Sequence, residues 1–250
     1  MRQLIIALCA MGFGLVAPAQ TNPPAASPPP AQNSTTTPDN ARYRATPGLL
    51  AGCQARLAAF NDKPCDIIFI GDSITARWLG PGMAIWEKDY APRHALDFGI
   101  DGDTTQNVLW RLNNMSIQDL KPKVAVILIG TNNLANGPHE IADGIKAVMA
   151  NTQAAFPGVK IILVSIMPNS RATDKMMQVN SLIKNYADDS TVYYLDLVPL
   201  MPPVTTTGPD GLTDTNWKGL SPDHLHPDAS GYQIWANAME PILSKLLSDK

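Results

Sequence analysis

After about residue 60 the chain alternates between two hydrophobic periods, and that alternation restricts its fold more than any other feature. Short apolar runs, rich in β-branched residues, occupy residues 67–70, 95–98, 124–129, 161–166 and 192–197. Between them apolar residues recur at helical spacing, as in Ile141, Ile145, Val148 and Met149, and again in Trp235, Met239, Ile242 and Leu246 of the closing segment. Strand and helix in strict exchange imply β-α units, whose crossover helices must lie on the faces of a parallel sheet. Residues 124–129 are apolar at every position, the mark of a central strand covered on both sides. The expected fold is a three-layer α/β/α sandwich with a five-stranded parallel sheet, flavodoxin-like in layout. Sheets of this kind bind ligands beyond the carboxyl ends of their strands.

The region upstream has a different character. Met1-Arg2, an apolar stretch from Leu4 to Val16 and the small-x-small sequence Ala17-Pro18-Ala19 read as a signal peptide over residues 1–19. The apolar stretch is shorter than the roughly 20 residues a membrane-crossing helix needs, so the mature chain is expected to lack a transmembrane anchor and to be secreted or periplasmic. Residues 20–47 are Pro, Thr, Ala, Ser and Asn with almost no large apolar side chain, and read as a disordered tether. Residues 48–250 remain for one folded domain, and a 45% hydrophobic chain of 250 residues suits it. The formal net charge of -3 and the absence of any Lys/Arg run argue against nucleic acid as a partner. Beyond the signal lie Cys53 and Cys65, which either pair in an oxidising compartment or stay as two buried thiols.

Four separated segments fall at the ligand-binding edge of the expected sheet. Gly71-Asp72-Ser73 follows the first strand and Gly102-Asp103 the second. Gly130-Thr131-Asn132-Asn133 follows the third, and Asp223-His224-Leu225-His226 precedes the last helix. A serine hydroxyl needs an imidazole base that a carboxylate orients, and Ser73, His226 and Asp223 fit those roles in the chain order of an α/β scaffold. The Ser73 N–H would stand at a helix start, and Gly102, before a helix that Asp103 can cap, supplies a second N–H. The Asn132 side-chain amide can supply a third donor to an oxyanion. The Gly-x-Ser-x-Gly elbow of lipase-type hydrolases is missing, because Thr75 takes its last glycine position. No Gly-x-x-x-x-Gly-Lys loop follows the first strand, which disfavours a nucleotide binder.

This set resembles the SGNH or GDSL hydrolase superfamily, whose four blocks carry serine, glycine, asparagine and histidine, with an aspartate three residues before the histidine. The stretch from Phe98 to Thr105, with Val108-Leu109-Trp110-Arg111-Leu112, is most similar to the catalytic subunits of platelet-activating-factor acetylhydrolase. Lys121-Pro122-Lys123 leading into Gly130-Thr131-Asn132-Asn133 extends that likeness, which covers about residues 60–247. The resemblance implies Ser73 as nucleophile, His226 as base, Asp223 as its orienting carboxylate, and an oxyanion hole of Ser73 N–H, Gly102 N–H and Asn132. It also implies a short-chain, acetyl-preferring esterase that needs no metal or organic cofactor. Two positions depart from the family pattern: Ile74 replaces leucine, and Asp101 stands where the acetylhydrolase-like pattern has glycine.

Competing readings attach to the remaining residues. Asp223, His224 and His226 are a poor metal set without a third partner off the loop. His224 is expected to be solvated or structural, as are His94 and His139. Trp78, Trp86 and Trp110 read as core or rim packing, whereas Trp217 lies in a polar, Gly/Pro-rich segment, residues 202–221, that suits a pocket wall. An exported esterase acting on a small acyl ester, an O-acetylated glycan or a phospholipid-like ether lipid, the last as a lipase or phospholipid acetylhydrolase-type enzyme, is the reading that uses all four segments. A catalytically silent glycan- or wall-binding module would have no need of Ser73, Asp223 and His226 together.

Overall fold

Five strands, β1 (Ile67–Gly71), β2 (Ala95–Gly99), β3 (Val124–Leu128), β4 (Lys160–Val164) and β5 (Val192–Leu195), pair in parallel in the order β2-β1-β3-β4-β5. They belong to a computed structural model that describes residues 34–248, all within one compact unit. The expected signal peptide and the first part of the expected tether lie outside the described residues. β3 sits at the centre of the order, with Phe69 of β1 beside Val126 on one side and Asp97 of β2 on the other. The even and odd side chains of the strands divide into two cores. Ile68, Ile70, Phe98, Ala125, Ile127, Ile161 and Leu163 pack against one set of helices. Ile67, Phe69, Val124, Val126, Leu128 and Ile162 face the opposite layer. This division is why β3 reads as unbroken apolar sequence.

The helices are α1 (Ala41–Ala45), α2 (Gly48–Ala58), α3 (Ser73–Ala76), α4 (Met83–Ile85), α5 (Thr105–Asn114), α6 (Pro138–Ala155), α7 (Thr173–Ile183) and α8 (Ala229–Ser248). The first core holds residues of α2, α5, α6 and α7, including Leu109, Ile141, Ile145, Val148 and Val179. The second is an aromatic cluster in which Phe69, Trp78, Trp86, Tyr90, Tyr232 and Trp235 meet with ring centroids 4.5–6.5 Å apart. Trp78 and Trp86 are therefore packing residues, as their spacing suggested. Local sequence starts the helices: Asn107 Oδ1 accepts from Thr104 N at 3.0 Å before α5, and Glu140 Oε2 accepts from Gly137 N at 2.8 Å before α6. Thr104, not Asp103, is the cap residue of α5. Asp103 is drawn inward instead by a buried cation.

One expectation is revised and two open points are resolved. Residues 34–47, assigned to the tether, are folded onto the domain: Thr35 and Tyr43 are buried, and α1 forms within the segment. The docking is mostly polar, through Thr35 Oγ1 to the Glu140 carbonyl at 2.6 Å and Asn107 Nδ2 to the Asp39 carbonyl at 3.0 Å, so hydrophobic periodicity could not reveal it. Residues 202–221, read as a polar segment suited to a pocket wall, hold β6 (Pro203–Thr207) and β7 (Thr213–Trp217), which form an exposed antiparallel hairpin. Of the two alternatives for Cys53 and Cys65, the structure takes the buried thiols, and burial pushes the Cys65 thiol up to about 12.

Candidate active site

Ser73 is the first residue of α3, directly beyond β1, and its hydroxyl is nearly buried. The turn that presents it requires Gly71, because a Cβ there would meet Thr75 Oγ1 at 2.1 Å and the Leu128 carbonyl at 2.3 Å. Asp72 caps α3 by accepting from Ile74 N at 2.9 Å. Ser73 Oγ lies 2.9 Å from His226 Nε2, and His226 Nδ1 lies 2.6 Å from Asp223 Oδ2. Asp223 Oδ1 also accepts from the backbone of Leu225 at 3.1 Å and of His226 at 2.9 Å, so the carboxylate folds its own loop around the imidazole. Burial works against the Asp223 charge, yet the hydrogen bonds from His226 and Leu225 outweigh it and hold the carboxyl at about 2. Arg77 Nη1 stands 3.8 Å from Asp223 Oδ2 on the exposed side.

The loop bearing Asp223 and His226 is fastened at several points. Ser221 N donates to the His226 carbonyl at 2.8 Å, Ser170 N donates to the His224 carbonyl at 3.0 Å, and Leu220 bridges Pro227. His224 takes the left-handed conformation at φ 55° and points away from the relay, its Nε2 lying 3.2 Å from Asp214 Oδ2 on β7. Its place is structural, linking loop to hairpin. Trp217, at the end of β7, is half-buried against the aromatic core. Trp110 stacks obliquely on Tyr43 at 5.4 Å.

The loop after β2 brings Gly102 to the same edge. Gly102 adopts φ 73°, a conformation glycine takes without the steric cost of a side chain. Its N–H has no acceptor among the described residues. The Ser73 N–H, at the first position of a helix, has no acceptor within that helix. Asn132 Nδ2 donates to the Asp103 carbonyl at 2.9 Å and makes a longer contact of 3.3 Å to Asp72 Oδ2, which ties the loops after β1, β2 and β3 together. Burial pushes the Asp72 carboxyl up to about 7, opposed by the Ile74 N–H and assisted by the charges of Asp103 and Asp101. Asn133, one position on, serves the scaffold, with Oδ1 accepting from Thr105 N at 3.1 Å. Asp101 is exposed beside Gly102 and lines a cavity of about 250 Å³ with Gly48, Arg56 and Ala76.

Beneath these loops lies a buried ion pair that motif reading missed. Arg111 of α5 and Asp103 meet at 2.9 Å with both side chains fully buried. Arg111 also donates to the Phe98 carbonyl at 2.6 Å and the Gly71 carbonyl at 3.2 Å, joining the ends of β1 and β2. Burial alone would pull its guanidinium down, and its partners together, the Asp103 carboxylate foremost, more than offset that. A signal existed: Arg111 falls between Val108 and Leu112 on the apolar face of its helix, where a cation needs a partner. Tyr43 OH donates to Asp103 Oδ2 at 2.7 Å and Arg42 Nη1 to Asp103 Oδ1 at 3.0 Å, and nothing in the sequence announced either contact.

The five expected residues thus converge at one sheet edge: a hydroxyl, an imidazole and a carboxylate in series, with two backbone N–H groups and an amide near the hydroxyl's loop. Such an arrangement can ionise a hydroxyl and stabilise an oxyanion. Among the described residues, no three His, Cys, Asp or Glu side chains are grouped to hold a metal ion, and no helix is long and apolar enough to cross a membrane.

Residues 69–234 match the family model described as the GDSL-like Lipase/Acylhydrolase family. Human platelet-activating factor acetylhydrolase IB subunit alpha2 is 32% identical over 193 residues, which cover 76% of this chain and 80% of that protein. Among solved structures, a Bacteroides fragilis protein assigned as an acylhydrolase superposes with a TM-score of 0.63 at 22% identity, covering 80% of this chain and 97% of that one. A carbohydrate esterase family 3 protein from Talaromyces cellulolyticus superposes with a TM-score of 0.52 at 20% identity, covering 74% and 99% of the two chains.

Proposed function

Because this chain belongs to the GDSL-like lipase/acylhydrolase family, we propose that it is an exported serine esterase that removes short acyl groups, chiefly acetyl, through an acyl-enzyme. The observation that carries this reading is the series Ser73 Oγ to His226 Nε2 at 2.9 Å and His226 Nδ1 to Asp223 Oδ2 at 2.6 Å, beside a Gly102 N–H with no acceptor among the described residues. Ser73 attacks the ester carbonyl as His226 takes its proton, and Asp223 holds the imidazole and stabilises the imidazolium. The tetrahedral oxyanion is met by Ser73 N–H, Gly102 N–H and, as its longer 3.3 Å contact with Asp72 Oδ2 gives way, the Asn132 amide. His226 then protonates the leaving alcohol, and water activated by the same imidazole releases the acid.

The alcohol is proposed to be a carbohydrate hydroxyl. Supporting this are the export signal read over residues 1–19 and the fold shared with a carbohydrate esterase. A second reading, an acetylated lipid alcohol, is favoured by the 32% identity to platelet-activating factor acetylhydrolase subunits. Release of p-nitrophenol from acetate, butyrate and octanoate esters by the protein and by Ser73→Ala tests the reading. Turnover highest on acetate and lost in the variant supports it, and turnover in neither protein overturns it. Acetate release from acetylated xylan against release from an acetyl glycerolipid then decides between the alcohols.

A further inference from the structure

The segment that folds back onto the domain from residue 34 makes several polar contacts with the loop that carries Gly102. Arg42 Nη2 donates to the Asp101 carbonyl, and Arg42 Nη1 donates to Asp103 Oδ1 at 3.0 Å. These acceptors flank Gly102, and a Cβ on Gly102 would lie 2.8 Å from Arg42 Nη2. The guanidinium therefore lies across the glycine, in space that only a glycine leaves open. Tyr43 OH occupies the other Asp103 oxygen at 2.7 Å. Further contacts lace the segment to α5: Asp39 N donates to the Gln106 carbonyl at 3.1 Å and Thr105 Oγ1 donates to the Thr35 carbonyl at 2.9 Å.

The Asp101 carbonyl and the Gly102 N–H are the two ends of one planar trans peptide unit, so they point in opposite directions. A cation that anchors the carbonyl fixes the direction of the N–H. It also polarises the unit, because a hydrogen bond accepted at the oxygen strengthens the one donated at the nitrogen. Glycine at φ 73° resists rotation of that unit less than any other residue, which gives an external anchor a purpose. We infer that Arg42, steadied by Tyr43, is a positioning residue that orients and polarises the Gly102 N–H for the oxyanion, which makes the folded-back N-terminal segment part of the catalytic apparatus. This rests on the proposed role of Gly102 as an oxyanion donor.

Steady-state hydrolysis of p-nitrophenyl acetate by the full chain tests it, with Arg42→Ala, Arg42→Lys, Tyr43→Phe and, as a control on the same helix, the exposed Arg44→Ala. Loss of an oxyanion donor costs about 10²- to 10³-fold in kcat, and loss of its anchor should cost a part of that, about tenfold. The expected result for Arg42→Ala is a kcat about tenfold lower with KM nearly unchanged. Lysine restores only part of this, because a point charge cannot span both acceptors, and Arg44→Ala matches the parent. Phosphorylation of Ser73 by diethyl p-nitrophenyl phosphate, which also develops an oxyanion, should slow by a similar factor. An active parent with Arg42→Ala at parental kcat overturns the inference alone, as does a kcat that falls only in proportion to the folded fraction seen by circular dichroism. A parent that hydrolyses no ester, or is matched by Ser73→Ala, overturns the underlying reading with it.

Discussion

Replacing Arg111 by methionine would remove a fully buried cation that joins β1, β2 and the Gly102 loop. Its guanidinium and the Asp103 carboxylate are both inaccessible and 2.9 Å apart. The variant leaves that carboxylate with only Tyr43 and the partly exposed Arg42 as partners. Breaking a buried pair from one side costs about 3–5 kcal/mol, since the remaining charge stays desolvated. The Phe98 carbonyl, which accepts from Arg111 at 2.6 Å, loses a charged donor worth about 1 kcal/mol or more. Together these come to about 4–6 kcal/mol, a large share of the about 5–15 kcal/mol that holds a domain of this size. Urea unfolding followed by tryptophan fluorescence, with Arg111→Met, Asp103→Asn and the double variant, measures it. The double variant should recover about 2 kcal/mol or more relative to additivity, because no unpaired charge is left behind. A loss below about 1 kcal/mol in Arg111→Met, or strict additivity, would refute the idea that this pair fastens the site.

Other consequences concern the relay and the buried acids. Asp223→Asn should keep the fold and lower kcat by about 10³- to 10⁴-fold, because an amide no longer holds the imidazole in its working tautomer; steady-state kinetics with parental circular dichroism checks it. Asn132→Ala should lower kcat by about 10²-fold or more with a smaller change in KM, and an unchanged kcat removes the amide from the oxyanion site. Asp97, buried on β2, has its carboxyl pushed up to about 7 by burial, against the charge of Arg56 and the Gly99 N–H. A folded value above the ordinary 3.8 means that ionisation opposes folding, so its stabilising share is complete below pH 3.8 and lost as pH rises through about 7. Asp97→Asn should therefore gain on the parent by about 3 kcal/mol between pH 5 and pH 8 in urea unfolding. A pH-independent difference would show that Asp97 does not titrate there.

Apolar periodicity made the sheet legible, since residues 124–129 can satisfy six apolar side chains only between two covering layers. The convergence of Ser73, Gly102, Asn132 and His226 was legible for a related reason: each follows a strand or precedes a helix, and a parallel sheet gathers such ends at one edge. The folded-back segment was not, because Thr35, Asp39 and Arg42 dock by hydrogen bonds and leave no hydrophobic signature. The β6–β7 hairpin could have been found, for Gly208-Pro209-Asp210-Gly211 is a turn signal between threonine-rich runs of strand character. Its missing apolar face hid it, as both strands lie on the surface. Arg111 was visible as a charge on an apolar helix face, yet its partners, 8 and 68 residues away, had to be seen in three dimensions.

The central claim is that Ser73 becomes covalently acylated, and diethyl p-nitrophenyl phosphate tests that step directly because its adduct does not turn over readily. After incubation, intact-mass and peptide-mass measurements should find one diethylphosphoryl group per chain, on the peptide containing Ser73, with esterase turnover lost in proportion to labelling. Labelling at another residue, or undiminished turnover by a chain modified at Ser73, would contradict the account.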